Sequence, residues 1–227
     1  MIKPAVIPKT LDDILKVQDK ARNEVDCFQI DIVDGVYASP KSWPFTSLIG
    51  DVKDIRPMMN VPFEVDMMVE NPIKEINFWS VMGAKRLIIH YGSFNGKPDN
   101  EIITCIKEIK ESKCEVYVAF TINDDLSSVS VSSLDVDGVQ CMGISRIGVQ
   151  GEPFNIQALD LIKAIRDKNP DLPISVDGGI SVENVCSVIK AGASSVVSGS
   201  ALLKGEKDFK ENIQKFREVI SSCVYNK

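Results

Sequence analysis

Residues 174–200 read ISVDGGISVENVCSVIKAGASSVVSGS. Two short apolar runs, Ile174–Val176 and Ser195–Val197, flank a longer segment of mixed polarity. Neither run alternates, which is how a strand covered on both faces reads. Strand, mixed segment, strand is the repeating unit of a parallel sheet. The first run ends on Asp177 followed by two glycines, and the second runs into Gly199-Ser200.

The same alternation recurs towards the N-terminus. Further runs are Ala5–Ile7, Cys27–Ile32, Phe63–Val69, Arg86–His90, Glu115–Thr121 and Gly138–Ile144. Segments between them carry helical stripes: Leu11, Ile14, Leu15 and Val17; Ile102, Ile103, Ile106 and Ile109; Leu159, Ile162 and Ile165; Phe209, Ile213, Phe216 and Ile220. Thr10 and Asp99 are candidate N-caps, and Asn71-Pro72 reads as a helix start. The segment Leu126–Leu134 reads as a short helix or a loop. Eight strand–helix units of about 28 residues, with no linker between them, predict a single α/β domain over residues 1–227. Its expected form is a closed (β/α)8 TIM barrel, with an open doubly wound sheet as the competitor. In a barrel the irregular stretch Gly35–Phe45 lies on the functional face.

Composition narrows the function. The 227 residues are 44% hydrophobic and 26% charged, with a net charge of −6. This is a globular balance that argues against disorder and against a basic face for nucleic acid. No apolar run approaches the ~20 residues that cross a bilayer, so no membrane partner is expected. The opening MIKPAVIPKT has no signal-peptide core, so a cytoplasmic location is expected. Six cysteines without a CxxC pair read as reduced thiols, mostly packed. The single histidine, His90, excludes a metal site built on two imidazoles.

Polar residues at strand ends are the candidate chemistry. In CFQIDIVDG (27–35), Gln29 and Asp31 are two apart and point to one side. In FEVDMMV (63–69), Glu64 and Asp66 share a face in the same way; the alternative reading puts one of them in a structural ion pair. A carboxylate there must be paired, hydrogen-bonded or metal-bound. Gly178-Gly179 and Gly199-Ser200, after the seventh and eighth runs, offer backbone N–H groups and a helix start to a phosphate. The loop SRIGVQGEPF (145–154) carries Gly148 and Gly151 and can close over a ligand, with Arg146 a second candidate for phosphate. His90, Met68 and Met142 end their runs and are candidate pocket residues.

Taken in order, these motifs resemble the ribulose-phosphate 3-epimerase family, a phosphate-binding (β/α)8 barrel. The family's second strand, H-x-D-x-M-D-G, is matched by QIDIVDG (29–35). Its H-L-M-V and N-P are matched by DMMVENP (66–72), and its fourth strand ending in His by LIIHYGS (87–93). Met142 and IGVQGEPF (147–154) match the sixth strand and its loop. VDGGI (176–180) is unchanged, and AGASSVVSGSAL (191–202) follows as expected. The resemblance implies that Asp31 and Asp177 are the two acid/base carboxylates. They would invert C3 of a 2-keto sugar phosphate, D-ribulose 5-phosphate or a close analogue, through an enediolate.

In the family a divalent metal bound by two His and the two Asp stabilises that intermediate. Here the two His positions are Gln29 and Asp66. The implied ligand set, Gln29, Asp31, Asp66 and Asp177, is all oxygen and favours Mg²⁺ or Mn²⁺ over Zn²⁺, or binds no metal if the exchanges have abolished the site. The Ser-rich start of the family is AVIPKT here (5–10), with Pro8 at the position of a substrate-contacting Ser. The readings left open are an epimerase, another sugar-phosphate isomerase or lyase on the same barrel, and a non-catalytic phosphosugar-binding homologue. The expected partner is a small sugar phosphate, and the chain is expected to self-associate as a homo-oligomer.

Overall fold

A computed structural model describes residues 1–47, 54–97, 100–124, 131–203 and 209–225. Eight parallel strands close into a barrel in sequence order: β1 (Ile2–Val6), β2 (Phe28–Val33), β3 (Phe63–Met68), β4 (Arg86–His90), β5 (Glu115–Phe120), β6 (Gly138–Met142), β7 (Ile174–Asp177) and β8 (Ser195–Ser198). The closing ladder sets Ile2 against Val196 and Pro4 against Ser198. Helices α1 (Leu11–Ala21), α2 (Ile73–Val81), α3 (Asn100–Glu111), α4 (Ala158–Lys168), α5 (Val185–Ala191), α6 (Ser200–Leu203) and α7 (Phe209–Tyr225) surround it. This is the (β/α)8 barrel the sequence predicts, and not the open sheet.

The strands are buried on both faces, which is why their sequences do not alternate. Outward residues pack under the helices. Phe28 lies 6.1 Å from Phe63, and Trp79 of α2 packs against Phe63, Phe78 and Trp43. Each such aromatic contact adds about 0.5–1.5 kcal/mol beyond area burial. Trp43 belongs to the long loop after β2, so this cluster also fixes that loop to the barrel. Ser42 ties it further: its hydroxyl accepts from Val33 N at 2.8 Å, and its own N–H donates to Val33 O at 2.9 Å.

Inward residues are polar at both ends. At the floor, Lys3 Nζ lies 2.5 Å from Glu64 Oε1, with both side chains buried. Arg86 completes the group, 2.7 Å from the other Glu64 oxygen and stacked 3.8 Å over the Tyr117 ring. A buried carboxylate held by two cations satisfies its desolvation requirement. Glu64 is therefore the structural member of the Glu64/Asp66 pair.

Several expectations need correction. β1 starts at Ile2, because Lys3 pairs with Glu64 inside the barrel and so fits a buried strand. The β2–β3 and β5–β6 connections show, among the described residues, only short 3-10 turns at Arg56–Met58 and Val131–Ser133. Most of Leu126–Leu134, and the candidate cap Asp99, lie outside the described residues. Ile103 belongs to no core stripe: it is 58% exposed. Thr10 does cap α1, its N–H donating to Asp13 Oδ2 at 3.0 Å. Pro72 sits at the cap of α2 and not at its first turn.

The cysteines are not all reduced. Cys186 of α5 and Cys223 of α7 form a disulfide with a Cα–Cα distance of 5.6 Å. Their 37-residue separation hid the fact that these two helices are neighbours. Cys27, Cys105, Cys114 and Cys141 are free. Among the described residues no helix is long and apolar enough to cross a membrane.

Candidate active site

Strand period brings the site together. Gln29 and Asp31, Asp66 and Met68, Gln140 and Met142, and Ser175 and Asp177 each face the barrel interior two residues apart. At the C-terminal end of the barrel this assembles Asp31 from β2, Asp66 from β3 and Asp177 from β7. All three are buried, and one oxygen from each lies within 4.8 Å of the others.

The polar side chains that touch these carboxylates are Gln29, His90 and Gln140. Gln29 turns its amide nitrogen to Asp31 Oδ1 and Asp177 Oδ2, both at 2.7 Å. His90 Nε2 lies 2.7 Å from Asp66 Oδ1, and Gln140 Nε2 donates to Asp66 Oδ2 at 3.0 Å. Gln29 Oε1, Gln140 Oε1 and His90 Nδ1 are buried without a partner. Burial pushes Asp31 well above the usual carboxylate range, helped by the neighbouring Asp177 and Asp66 charges and opposed by the Gln29 hydrogen bond. Asp177 is pushed up to about 7, chiefly by burial and then by Asp66. Gln29 and, from the floor, Lys3 pull in the other direction.

Three buried carboxylates at this spacing can hold a metal ion. Two observations fit a hard divalent cation. The donors are all carboxylate oxygens, and among the described residues no Lys or Arg side chain pairs with them: the ions at Lys3 and Arg86 are engaged with Glu64. Gln29 would join the donor set only by rotating its amide, because the nitrogen now faces the aspartates and the unpartnered oxygen faces away.

Above the carboxylates lies a pocket. Asp31 and Asp177 form its inner end with Met68 and Met142, and Gly148, Gly151, Gly178, Gly179, Gly199 and Ser200 line the rest. Gln29, Asp66 and His90 are set behind this lining, fully buried. Gly178 and Gly179 have φ of +103° and +67°, and a Cβ on Gly179 would meet Phe154 N at 2.5 Å. Only glycine turns the chain there and leaves its amides open to a ligand.

The family model described as the ribulose-phosphate 3 epimerase family matches residues 2–203. The chain belongs to this family. A ribulose-phosphate 3-epimerase of Aquifex aeolicus is 28% identical over 213 residues, covering 92% of this chain and 91% of the relative. That of Bacillus subtilis is 28% identical over 207 residues, covering 89% and 90%. A 3-hexulose-6-phosphate synthase from Salmonella typhimurium superimposes with a TM-score of 0.70 at 20% identity, over 98% of this chain and 99% of the other. That likeness speaks for the fold alone.

This member of the ribulose-phosphate 3 epimerase family is thus an enzyme of the epimerase class. It has Gln29 and Asp66 at the two positions the motif comparison gives to histidine. The strand-end reading missed Gln140, although it is a polar residue two before Met142 in GVQCM (138–142) and so faces inward as Gln29 does. It also missed Gln150 and Glu152, which line the pocket from the loop after β6. Arg146 does not line the pocket; it is 69% exposed and pairs with Glu152 at 2.7 Å.

Proposed function

We propose that the chain inverts C3 of a ketose phosphate, D-ribulose 5-phosphate or a close analogue, through an enediolate. One observation carries this reading: Asp31 and Asp177, from strands on different sides of the barrel mouth, share the Gln29 amide and line the same pocket as the Gly178-Gly179 and Gly199-Ser200 amides. A ketose phosphate has matching ends, a phosphoryl group and a C2 carbonyl beside an acidic C3 proton.

Both carboxyl groups have raised proton affinity, so near neutral pH the pair holds less than its full negative charge. A proton shared in this way supplies one base and one acid. The ionised member removes the C3 proton from one face, and the protonated member delivers its proton to the other. Inversion leaves the pair with its roles exchanged, which suits a reaction that runs in both directions. Asp31, Asp66 and Asp177 are the residues that would hold a divalent cation. When bound, it supplies positive charge beside the enediolate oxygens. The Met68 and Met142 side chains give the reacting carbons an apolar floor.

The test is exchange of the C3 proton of D-ribulose 5-phosphate into D₂O, with and without Mg²⁺ or Mn²⁺. Exchange with formation of the C3 epimer, lost in Asp31→Asn, is expected. Binding without exchange would make the protein a phosphosugar-binding homologue. A product other than the C3 epimer would assign it to another sugar-phosphate enzyme.

A further inference from the structure

Among the described residues the pocket proposed to take a phosphoryl group is lined by no lysine or arginine, yet Asp31, Asp177 and Glu152 all border it. The nearby Arg146 is turned onto Glu152. A dianion entering there depends on neutral donors. Backbone amides of the glycine segments are some of these, but one side-chain amide also reaches in. Gln150, on the loop after β6, lies with its Nε2 3.4 Å from Ala5 O on β1. The same nitrogen would be only 3.0 Å from a Cβ on Gly199 at the end of β8. Gln150 therefore spans the mouth between three segments of the proposed phosphate cradle.

That contact is weak. At 3.4 Å the bond to Ala5 O is beyond the usual 2.7–3.2 Å range, and among the described residues the amide nitrogen has no other hydrogen-bond partner. An amide so held gives up little when it turns to a better acceptor. The geometry points to Gln150 as a phosphate-recognition residue. Its amide rests on Ala5 O when the pocket is free and donates to a phosphoryl oxygen when the ligand enters. Bonds to charged acceptors are stronger than the one it leaves. Gly199 lacks a side chain at the point where this amide passes, and a Cβ there would press on it. The inference rests on the sugar-phosphate reading above and assigns one of its specificity contacts.

The test measures the dissociation constant of inorganic phosphate and the KM for D-ribulose 5-phosphate in the full-length protein. Three variants are compared, Gln150→Met and Gln150→Glu at the same side-chain length and Gln150→Lys one atom longer. Met removes the donor, and both constants should rise roughly tenfold, with kcat changed less. Glu adds repulsion and should raise them roughly a hundredfold. Lys supplies a charged donor and should hold them at or below wild type. A loop merely loosened by substitution would not follow the sign of the charge. Constants for all three variants within twofold of wild type would overturn the assignment while the phosphate reading stands. Failure of wild type to bind inorganic phosphate or any ketose phosphate would overturn both.

Discussion

His90 Nε2 lies 2.7 Å from Asp66 Oδ1, and both side chains are fully buried. With Gln140 on the other oxygen, this pair fixes the one acid of the cluster that does not border the pocket. Removing the imidazole leaves a buried carboxylate with a single partner. His90→Ala should cost about 3 kcal/mol in urea unfolding. A loss below 1 kcal/mol would show that Asp66 does not depend on His90.

Asp177→Asn should lower kcat for C3 inversion by about a thousandfold or more, in the range that general acid–base groups contribute. The same change removes a buried charge, so the variant should melt at a temperature no lower than wild type at pH 8. Activity within tenfold of wild type would take Asp177 out of the mechanism.

Stability should depend on pH through this carboxyl group. Its folded pKa, about 7, is above its ordinary value of 3.8. Between these values the unfolded chain has lost the proton that the folded chain keeps, so unfolding releases a proton. The folded state is therefore favoured at low pH and loses stability as pH rises from about 4 to about 7. The slope is at most about 1.4 kcal/mol per pH unit. Urea titrations in chelator at pH 5 and pH 7 should show the loss in wild type and a smaller one in Asp177→Asn. Equal slopes would show that the raised affinity is absent.

A cation that binds the ionised cluster should reverse this trend. Mg²⁺ or Mn²⁺ at neutral pH should raise the unfolding midpoint, by RT ln(1 + [L]/Kd), and release protons on binding. Asp66→Asn should weaken Mn²⁺ binding as read by electron paramagnetic resonance. If Mn²⁺ leaves both the midpoint and its own spectrum unchanged, the cluster is not a metal site.

The Cys186–Cys223 pairing predicts that alkylation of the unreduced, unfolded chain labels four of six cysteines. Cys223→Ser should cost about 3–4 kcal/mol by closed-loop entropy for this spacing. Labelling of all six would remove the bridge.

Much of this was written in the order of residues. Eight non-alternating runs sufficed for the barrel, because burial on both faces leaves a direct mark on composition. Asp31, Asp66 and Asp177 stood out for the opposite reason, as carboxylates in strands that exclude them. What was illegible depends on distance through space. Nothing near Lys3 in the chain announces Glu64, and nothing in α5 announces α7. Gln140 differs: its period with Met142 was visible, and an amide in a buried strand carries the same message as Gln29. Gln150 and Glu152 sit in a loop, where polar residues are ordinary and only the pocket gives them meaning.

The Lys3–Glu64 contact has a consequence for the charge at the other end of the barrel. Lys3 is the one buried lysine among the described residues, and it is neutralised at the closed end of the cylinder. At the open end Asp31, Asp66 and Asp177 have no lysine or arginine partner among the described residues. Negative charge there disfavours an arriving anion, and a proton or a metal ion taken up by the three acids would weaken that repulsion.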